Sequence, residues 1–165
     1  INNAGIRFRK PFEKITQNDL DNVFKNNFFS IFKIIQIYSK YLGKKNKHDC
    51  SIVNIGSIVG RLGFAELAAY ASSKSALDAL TKSLSIELSN KKIRINTISP
   101  GFIKTSYFKK FKKKKKLYNW TISRIPQKNW GNPEDIAEFA IFLLSDKSKY
   151  FNGENVAIDG GWVNS

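Results

Sequence analysis

Apolar residues recur along this chain with two distinct periods. From Leu20 to Leu42 they fall at Leu20, Val23, Phe24, Phe28, Ile31, Ile34, Ile35, Tyr38 and Leu42. Steps of three and four put these on one side of a long helix. Thr16 stands where an N-cap is needed, Asp19 falls in the favourable first turn, and Gly43 with Lys44 and Lys45 closes the far end. A second stripe, Ala69, Leu77, Leu80, Leu84 and Leu88, predicts a helix from Ala68 to Asn90. Small residues on its other faces, among them Ala71, Ser72, Ser75 and Ala79, allow close packing on more than one side. A third helix opens with Asn132 as cap, Pro133 in the first position and two acids behind it, and runs to Ser145.

Between the helical stretches lie short runs rich in β-branched residues, Ser51 to Ile55, Ile93 to Ile98 and Asn155 to Ile158, which read as strands. Ser99-Pro100-Gly101 is expected to stop the second of them, and Asp159-Gly160-Gly161 the third. Ile6 to Lys14 and Asn46 to Asp49 read as loops, the latter holding His48, and Phe102 to Leu117 is the least regular region. Strands alternating with helices predict an α/β fold with a parallel sheet. No repeat, linker or second domain interrupts residues 1–165, so one domain is expected.

Composition narrows the function classes. A single cysteine, Cys50, excludes an internal disulfide and any cysteine metal cluster, and no metal site is expected. No apolar run approaches the length of a membrane span, and the start has neither the basic head nor the apolar stretch of a signal peptide. A cytoplasmic location is expected. The net charge is +15, and seven lysines between Lys109 and Lys116, broken only by Phe111, supply nearly half of it. Three readings stay open for that run: a solvated, mobile flap in a lysine-rich chain, a polyanion-binding patch, or a docking site for an acidic substrate or partner. The run lacks the interleaved aromatics of a single-strand binding surface, so nucleic acid is not the expected partner.

The candidate chemistry sits in residues 57–74. Gly56 permits a tight turn that brings Ser57 up to a ligand, and thirteen residues later comes Tyr70-Ala71-Ser72-Ser73-Lys74. Tyrosine and lysine four apart share one helix face. The ammonium is expected to lower the phenol's pKa, so that Tyr70 can pass a proton to or from a carbonyl or alcohol oxygen that Ser57 holds. Ile58, Val59, Leu62, Phe64 and Leu67 are candidates for a substrate wall. Arg7 and Arg9 read as solvated loop residues, with contact to a cofactor phosphate as the alternative.

Ser57, Tyr70 and Lys74, with Asn2-Asn3-Ala4-Gly5, Pro100-Gly101 followed by Thr105, and Asp159-Gly160-Gly161, resemble the short-chain dehydrogenase/reductase family in the right order along nearly the whole chain. The resemblance implies a Rossmann-like doubly wound sheet in three layers, of which this is the C-terminal portion. The first three strands and their glycine-rich phosphate turn would precede Ile1, in a longer parent or in the other half of a split or decayed gene. It implies a catalytic set of Asn27, Ser57, Tyr70 and Lys74, with Asn27 anchoring a water chain behind Lys74. It implies NAD or NADP held by Asn3, Ala4, Gly5, Tyr70, Lys74, Pro100, Gly101, Ile103 and Thr105. It also implies a mobile lid over residues 102–120, with Tyr107, Phe108, Phe111, Tyr118 and Trp120 closing over substrate or packing on the body. A homodimer or homotetramer would form through helices 20–42 and 68–90.

The function so implied is hydride transfer between the nicotinamide and a small-molecule carbonyl or secondary alcohol. Arg124-Ile125-Pro126 and Trp130-Gly131-Asn132-Pro133-Glu134 make the likeness nearest to gluconate 5-dehydrogenases, with 3-oxoacyl-carrier-protein reductases almost as similar. Sugar acids, polyols and 3-oxoacyl groups are therefore the expected substrates. Two other readings stand beside it: a catalytically inactive interface or scaffold module, and a polyanion binder led by the lysine run.

Overall fold

The computed structural model describes residues 1–42 and 49–165. The expected helix stop at Gly43, Lys44 and Lys45, and the loop reading of Asn46, Lys47 and His48, lie outside the described residues. Three strands, β1 (Cys50–Ile55), β2 (Ile93–Pro100) and β3 (Asn155–Ile158), form a parallel sheet in that order. Cys50 lies opposite Ile93, and Thr97 opposite Asn155. On the other side of β1, Asn2 makes a one-residue parallel bridge to Asn54, donating to the Val53 carbonyl at 2.8 Å and accepting from Ile55 at 2.9 Å.

Both faces of the sheet are covered. Strand alternation sends Ile52 to one side, where α2 (Ser30–Leu42) and α3 (Ala68–Glu87) bury Ile31, Ile35, Leu77 and Leu80 against it. Val53 and Ile98 go to the other side, against Ala140 and Leu143 of α6 (Pro133–Leu144). Burial on both faces extends to polar strand residues as well, since Asn54, Asn96, Thr97 and Ser99 are all fully buried. Fully burying Leu77 or Ile95 contributes roughly 1.5–3 kcal/mol each. One polar chain threads this core. Asn2 donates to Asn54 at 2.8 Å, Asn54 donates to Thr81 at 3.0 Å, and the Thr81 and Thr97 hydroxyls lie 2.8 Å apart. Asn54, Thr81 and Thr97 are fully buried, so each needs the others to satisfy its polar atoms.

The structure refines several sequence expectations. The long first helix is two helices, α1 (Gln17–Phe24) and α2, joined by a π-turn at Lys25–Phe29. Thr16 does cap α1, exchanging hydrogen bonds with Asp19. The helix expected to reach Asn90 ends at Glu87 and gives way to a 3-10 turn over Ser89–Lys91. A 3-10 turn over Phe12–Lys14 also lies inside the expected Ile6–Lys14 loop. Ser99 and Pro100 do not stop β2; they pair with Ala157 and Ile158. Proline is tolerated there because it sits last, and the Gly101 N–H continues the ladder to the Ile158 carbonyl at 2.9 Å.

The region expected to be least regular holds α4 (Phe108–Lys112) and α5 (Lys115–Arg124). Phe108, Phe111, Leu117, Tyr118 and Ile122 supply the buried side of these helices, packed with Trp130 and Trp162, while all seven lysines of the run face solvent. The lysine run is thus the outside of an amphipathic pair whose inside is aromatic.

Candidate active site

The carboxyl ends of parallel strands are where a doubly wound sheet leaves room for a ligand. A cavity of about 640 Å³ opens there, and Ile55, Gly56 and Ser57 of the β1 end and Pro100 and Gly101 of the β2 end line it. Gly56 has no space for a side chain, because a Cβ would stand 2.8 Å from Thr97 Cγ2 and 2.9 Å from Ser99 Oγ. That close approach of β1 to β2 delivers Ser57 to the cavity wall. Ser57 is extended, with its Oγ accepting from Val59 N–H at 3.2 Å to start the 3-10 turn Ile58–Gly60.

Tyr70 and Lys74 lie on the first turns of α3, which faces the same cavity. The Ser57 and Tyr70 side chains line the same wall, and the Ser57 hydroxyl acts on the Tyr70 phenol. Lys74 is buried, 6% exposed, and its Nζ donates to the Ile55 carbonyl at 2.8 Å, 6.0 Å from the centre of the Tyr70 ring. Burial lowers the Lys74 pKa to about 8. The expectation that Lys74 lowers the Tyr70 pKa is corrected. Burial raises the Tyr70 phenol above its ordinary value, and the groups that oppose this are the Ser57 hydrogen bond and the Arg7 guanidinium. The Lys74 ammonium donates to the Ile55 carbonyl, and with its pKa lowered to about 8 it is already neutral where the phenol ionises.

Asn27 sits at the centre of the π-turn and is fully buried. Its Oδ1 accepts from Ile6 N–H at 2.7 Å, and its Nδ2 donates to the Ile6 carbonyl at 3.0 Å and to Ser73 Oγ at 3.1 Å. The side chain therefore clamps the loop after Gly5 to α3, one residue before Lys74. A Cβ on Gly5 would come within 3.2 Å of Asn27 Oδ1 and 3.5 Å of Lys74 Nζ. These three residues converge behind the cavity. Asn27 itself does not line it.

Of the residues expected to hold a dinucleotide, Asn3, Gly5, Pro100, Gly101, Ile103 and Thr105 line the same cavity as Tyr70 and Lys74. Ala4 is not in that lining. Of the proposed apolar wall, Ile58, Val59, Phe64 and Leu67 line it, and Leu62 lines a second cavity of about 420 Å³ beside it. Tyr107, Phe108 and Phe111 also reach the first cavity, Phe111 reaches both, and Trp120 the second. Tyr118 packs instead on Phe108 and Trp130.

Sequence reading undervalued three residues. Arg7 lines both cavities and acts electrostatically on Tyr70. Its place immediately after the Asn-Asn-Ala-Gly turn was the available signal. Trp162 is buried, stacked on Phe102 at 5.2 Å. It is set by Asp159, whose carboxylate accepts from the Gly161 and Val163 N–H groups at 2.9 and 2.8 Å. Trp130 is buried in the wall of the first cavity and its indole donates to Thr121 at 2.8 Å, fastening α5, whose Leu117, Trp120 and Arg124 line the second.

Comparison with known proteins agrees with this geometry. A sequence profile of the family described as enoyl-(acyl carrier protein) reductase matches residues 1–163. The chain is 36% identical over 163 residues to a 3-oxoacyl-(acyl-carrier-protein) reductase of Thermotoga maritima, covering 99% of this chain and 65% of the relative. It is 35% identical to a 2-dehydro-3-deoxy-D-gluconate 5-dehydrogenase of Bacillus subtilis, covering 99% of this chain and 63% of that protein. The chain thus spans slightly less than two thirds of these relatives. Among solved structures it superposes on a 4-hydroxyisoleucine dehydrogenase complexed with NADH with a TM-score of 0.95, at 34% identity, covering 99% of this chain and 67% of that one. A gluconate 5-dehydrogenase from Burkholderia cenocepacia in complex with NADP and tartrate gives 0.93 at 27% identity, covering 99% and 64%.

Proposed function

We propose that this chain, which belongs to the short-chain dehydrogenase/reductase family, takes part in NAD(P)-dependent hydride transfer between a nicotinamide cofactor and a carbonyl or secondary alcohol. One observation carries the reading. The hydroxyls of Ser57 and Tyr70 stand in the wall of one cavity with buried Lys74 beside them. Such a pair suits an oxygen that gains or loses a proton.

In the reductive direction Tyr70 gives its proton to the substrate oxygen, which Ser57 also hydrogen-bonds. A phenol held above its ordinary pKa by burial is fully protonated at neutral pH, which favours this donor role. Once the proton has left, Arg7, which already favours the phenolate, provides the positive charge that steadies it, while Lys74 serves the cofactor cradle. Asn27 holds the Gly5–Ile6 segment and α3 at a fixed separation, and so fixes the distance between Arg7 and Tyr70. Nicotinamide, when bound, supplies or accepts the hydride. Asn3, Gly5, Pro100, Gly101, Ile103 and Thr105 fit its cradle, because Gly5 and Gly101 sit where a Cβ would crowd Asn27 and Asp159. Ala4 joins this set by its place between Asn3 and Gly5, which do line the cavity.

Residues 102–120 act as the substrate lid in this reading, anchored by Phe111 and Trp130. The surface of the π-turn and α2 supports self-association through helices 20–42 and 68–90: Phe29, Ile34 and Ile37 are each more than half exposed. Among the described residues no helix is long and apolar enough to cross a membrane.

The test is absorbance-monitored oxidation of NADH and NADPH with small ketones, comparing the wild-type chain, in its full-length setting, with Tyr70→Phe. Turnover that needs the Tyr70 hydroxyl supports the reading. Equal turnover in both proteins sinks it.

A further inference from the structure

The second cavity, of about 420 Å³, shares Arg7, Phe64, Leu67, Phe102 and Phe111 with the first, so the two lie side by side against common walls. Its walls are aromatic. Trp120 meets Trp162 edge to face at 5.5 Å, and Phe64 lies 5.8 Å from Trp162 and 6.4 Å from Trp120. Its charges are all positive, namely Arg7, Arg9 and Arg124. Arg9 is engaged by Glu66 at 2.6 Å. Among the described residues, neither Arg7 nor Arg124 has an acidic partner.

We propose that this second cavity receives the non-reacting end of the carbonyl substrate, and that this end is a carboxylate carried on an apolar body bulkier than a hexonic sugar acid. The proposal rests on the carbonyl–alcohol reading of the first cavity. Two unpaired guanidinium groups beside low-dielectric walls attract an anion more strongly than in open water, and their planar forks match a carboxylate. The ring trio and Leu117 define the body. Sugar hydroxyls laid against those faces would lose water without gaining hydrogen-bond partners, whereas an aliphatic or aromatic linker gains contact area. Arg7 stands between the cavities, so the same residue that acts on Tyr70 also borders the seat of the anionic end.

The experiment is equilibrium binding read by the fluorescence of Trp120 and Trp162, with 4-phenylbutanoate and its uncharged amide as probes. The carboxylate is expected to bind about tenfold more tightly than the amide, and gluconate is expected not to displace it. Arg7→Gln and Arg124→Gln should each bring the ratio of the two affinities toward one while leaving amide binding unchanged. Both arginines are exposed, so the variants should fold. Equal affinities in the wild type, a ratio that survives both substitutions, or displacement by gluconate would each overturn the proposal. Binding is scored without turnover. Expected binding with no hydride transfer on a short neutral ketone would therefore defeat the reading of the first cavity and leave the selectivity of the second standing.

Discussion

The floor and the roof of the site are held by opposite physics. The floor consists of the β1 end, the first turns of α3 and the Asn-Asn-Ala-Gly segment. It is fixed by buried, directional hydrogen bonds: Asn54 to Thr81, Asn27 to Ile6 and Ser73, Lys74 to Ile55. The roof, α4 and α5, is fixed by rings stacked around Trp130 and Trp162, with seven lysines outside. Directional bonds hold a geometry tightly and fail when one partner is removed. Ring packing is less specific and tolerates changes of shape on its outer side. Chemistry belongs on the first kind of scaffold and selectivity on the second, which is the division the two cavities draw.

Substitutions can break that contrast, and the expected effects fall in order. Tyr70→Phe should lower turnover by about 10²–10⁴-fold, the range for general acid–base catalysis, with the unfolding midpoint nearly unchanged. Asn54→Leu removes the central link of the buried polar chain, leaving Thr81 and Asn2 short of partners. It should cost roughly 2–3 kcal/mol in urea unfolding. A cost near zero would show that the floor is held by packing like the roof.

Lys74→Met separates stability from function. The folded pKa of Lys74, about 8, lies below the ordinary 10.5, so the folded chain binds this proton less well than the unfolded one. The resulting penalty is full below pH 8 and fades as pH rises to 10.5. Its ceiling is about 3 kcal/mol. Lys74→Met should therefore abolish turnover yet gain roughly 1–2 kcal/mol at pH 7 after the lost bond to Ile55 is counted, with the gain vanishing toward pH 10.5. Thermal melts of both proteins across that range check the sign. The smallest effect belongs to the roof: replacing Lys113, Lys114 and Lys115 by Gln should alter stability by no more than about 0.5 kcal/mol.

The same contrast explains what the sequence disclosed. Ser57, Tyr70, Lys74 and Pro100-Gly101, which line one cavity, are legible because they stand at short, fixed spacings along a strand end or a helix turn. The parallel strands are legible because each short run is rich in β-branched residues between turn signals. The roof is not. In Lys109–Lys116 the lysines drown the period of Phe108 and Phe111, and the partners that make those rings a core, Trp130 and Trp162, lie far along the chain. Arg7 was passed over for a related reason, since an arginine in a loop has no local pattern and gains meaning only when folding sets it beside Tyr70. Pro100 misled because its missing N–H matters only if the strand continues past it, and here the Gly101 amide takes up the pairing.

The π-turn at Lys25–Phe29 has a consequence for sequence length. A wide turn of this kind accommodates one residue more than regular winding requires. A chain lacking one residue there would wind into a smoother and intrinsically stronger helix. It would also rotate the Asn27 amide off the Ile6 backbone, releasing the loop that carries Arg7. Local helical regularity and the register of the catalytic loop are therefore in conflict at this point, and the fold keeps the irregular helix.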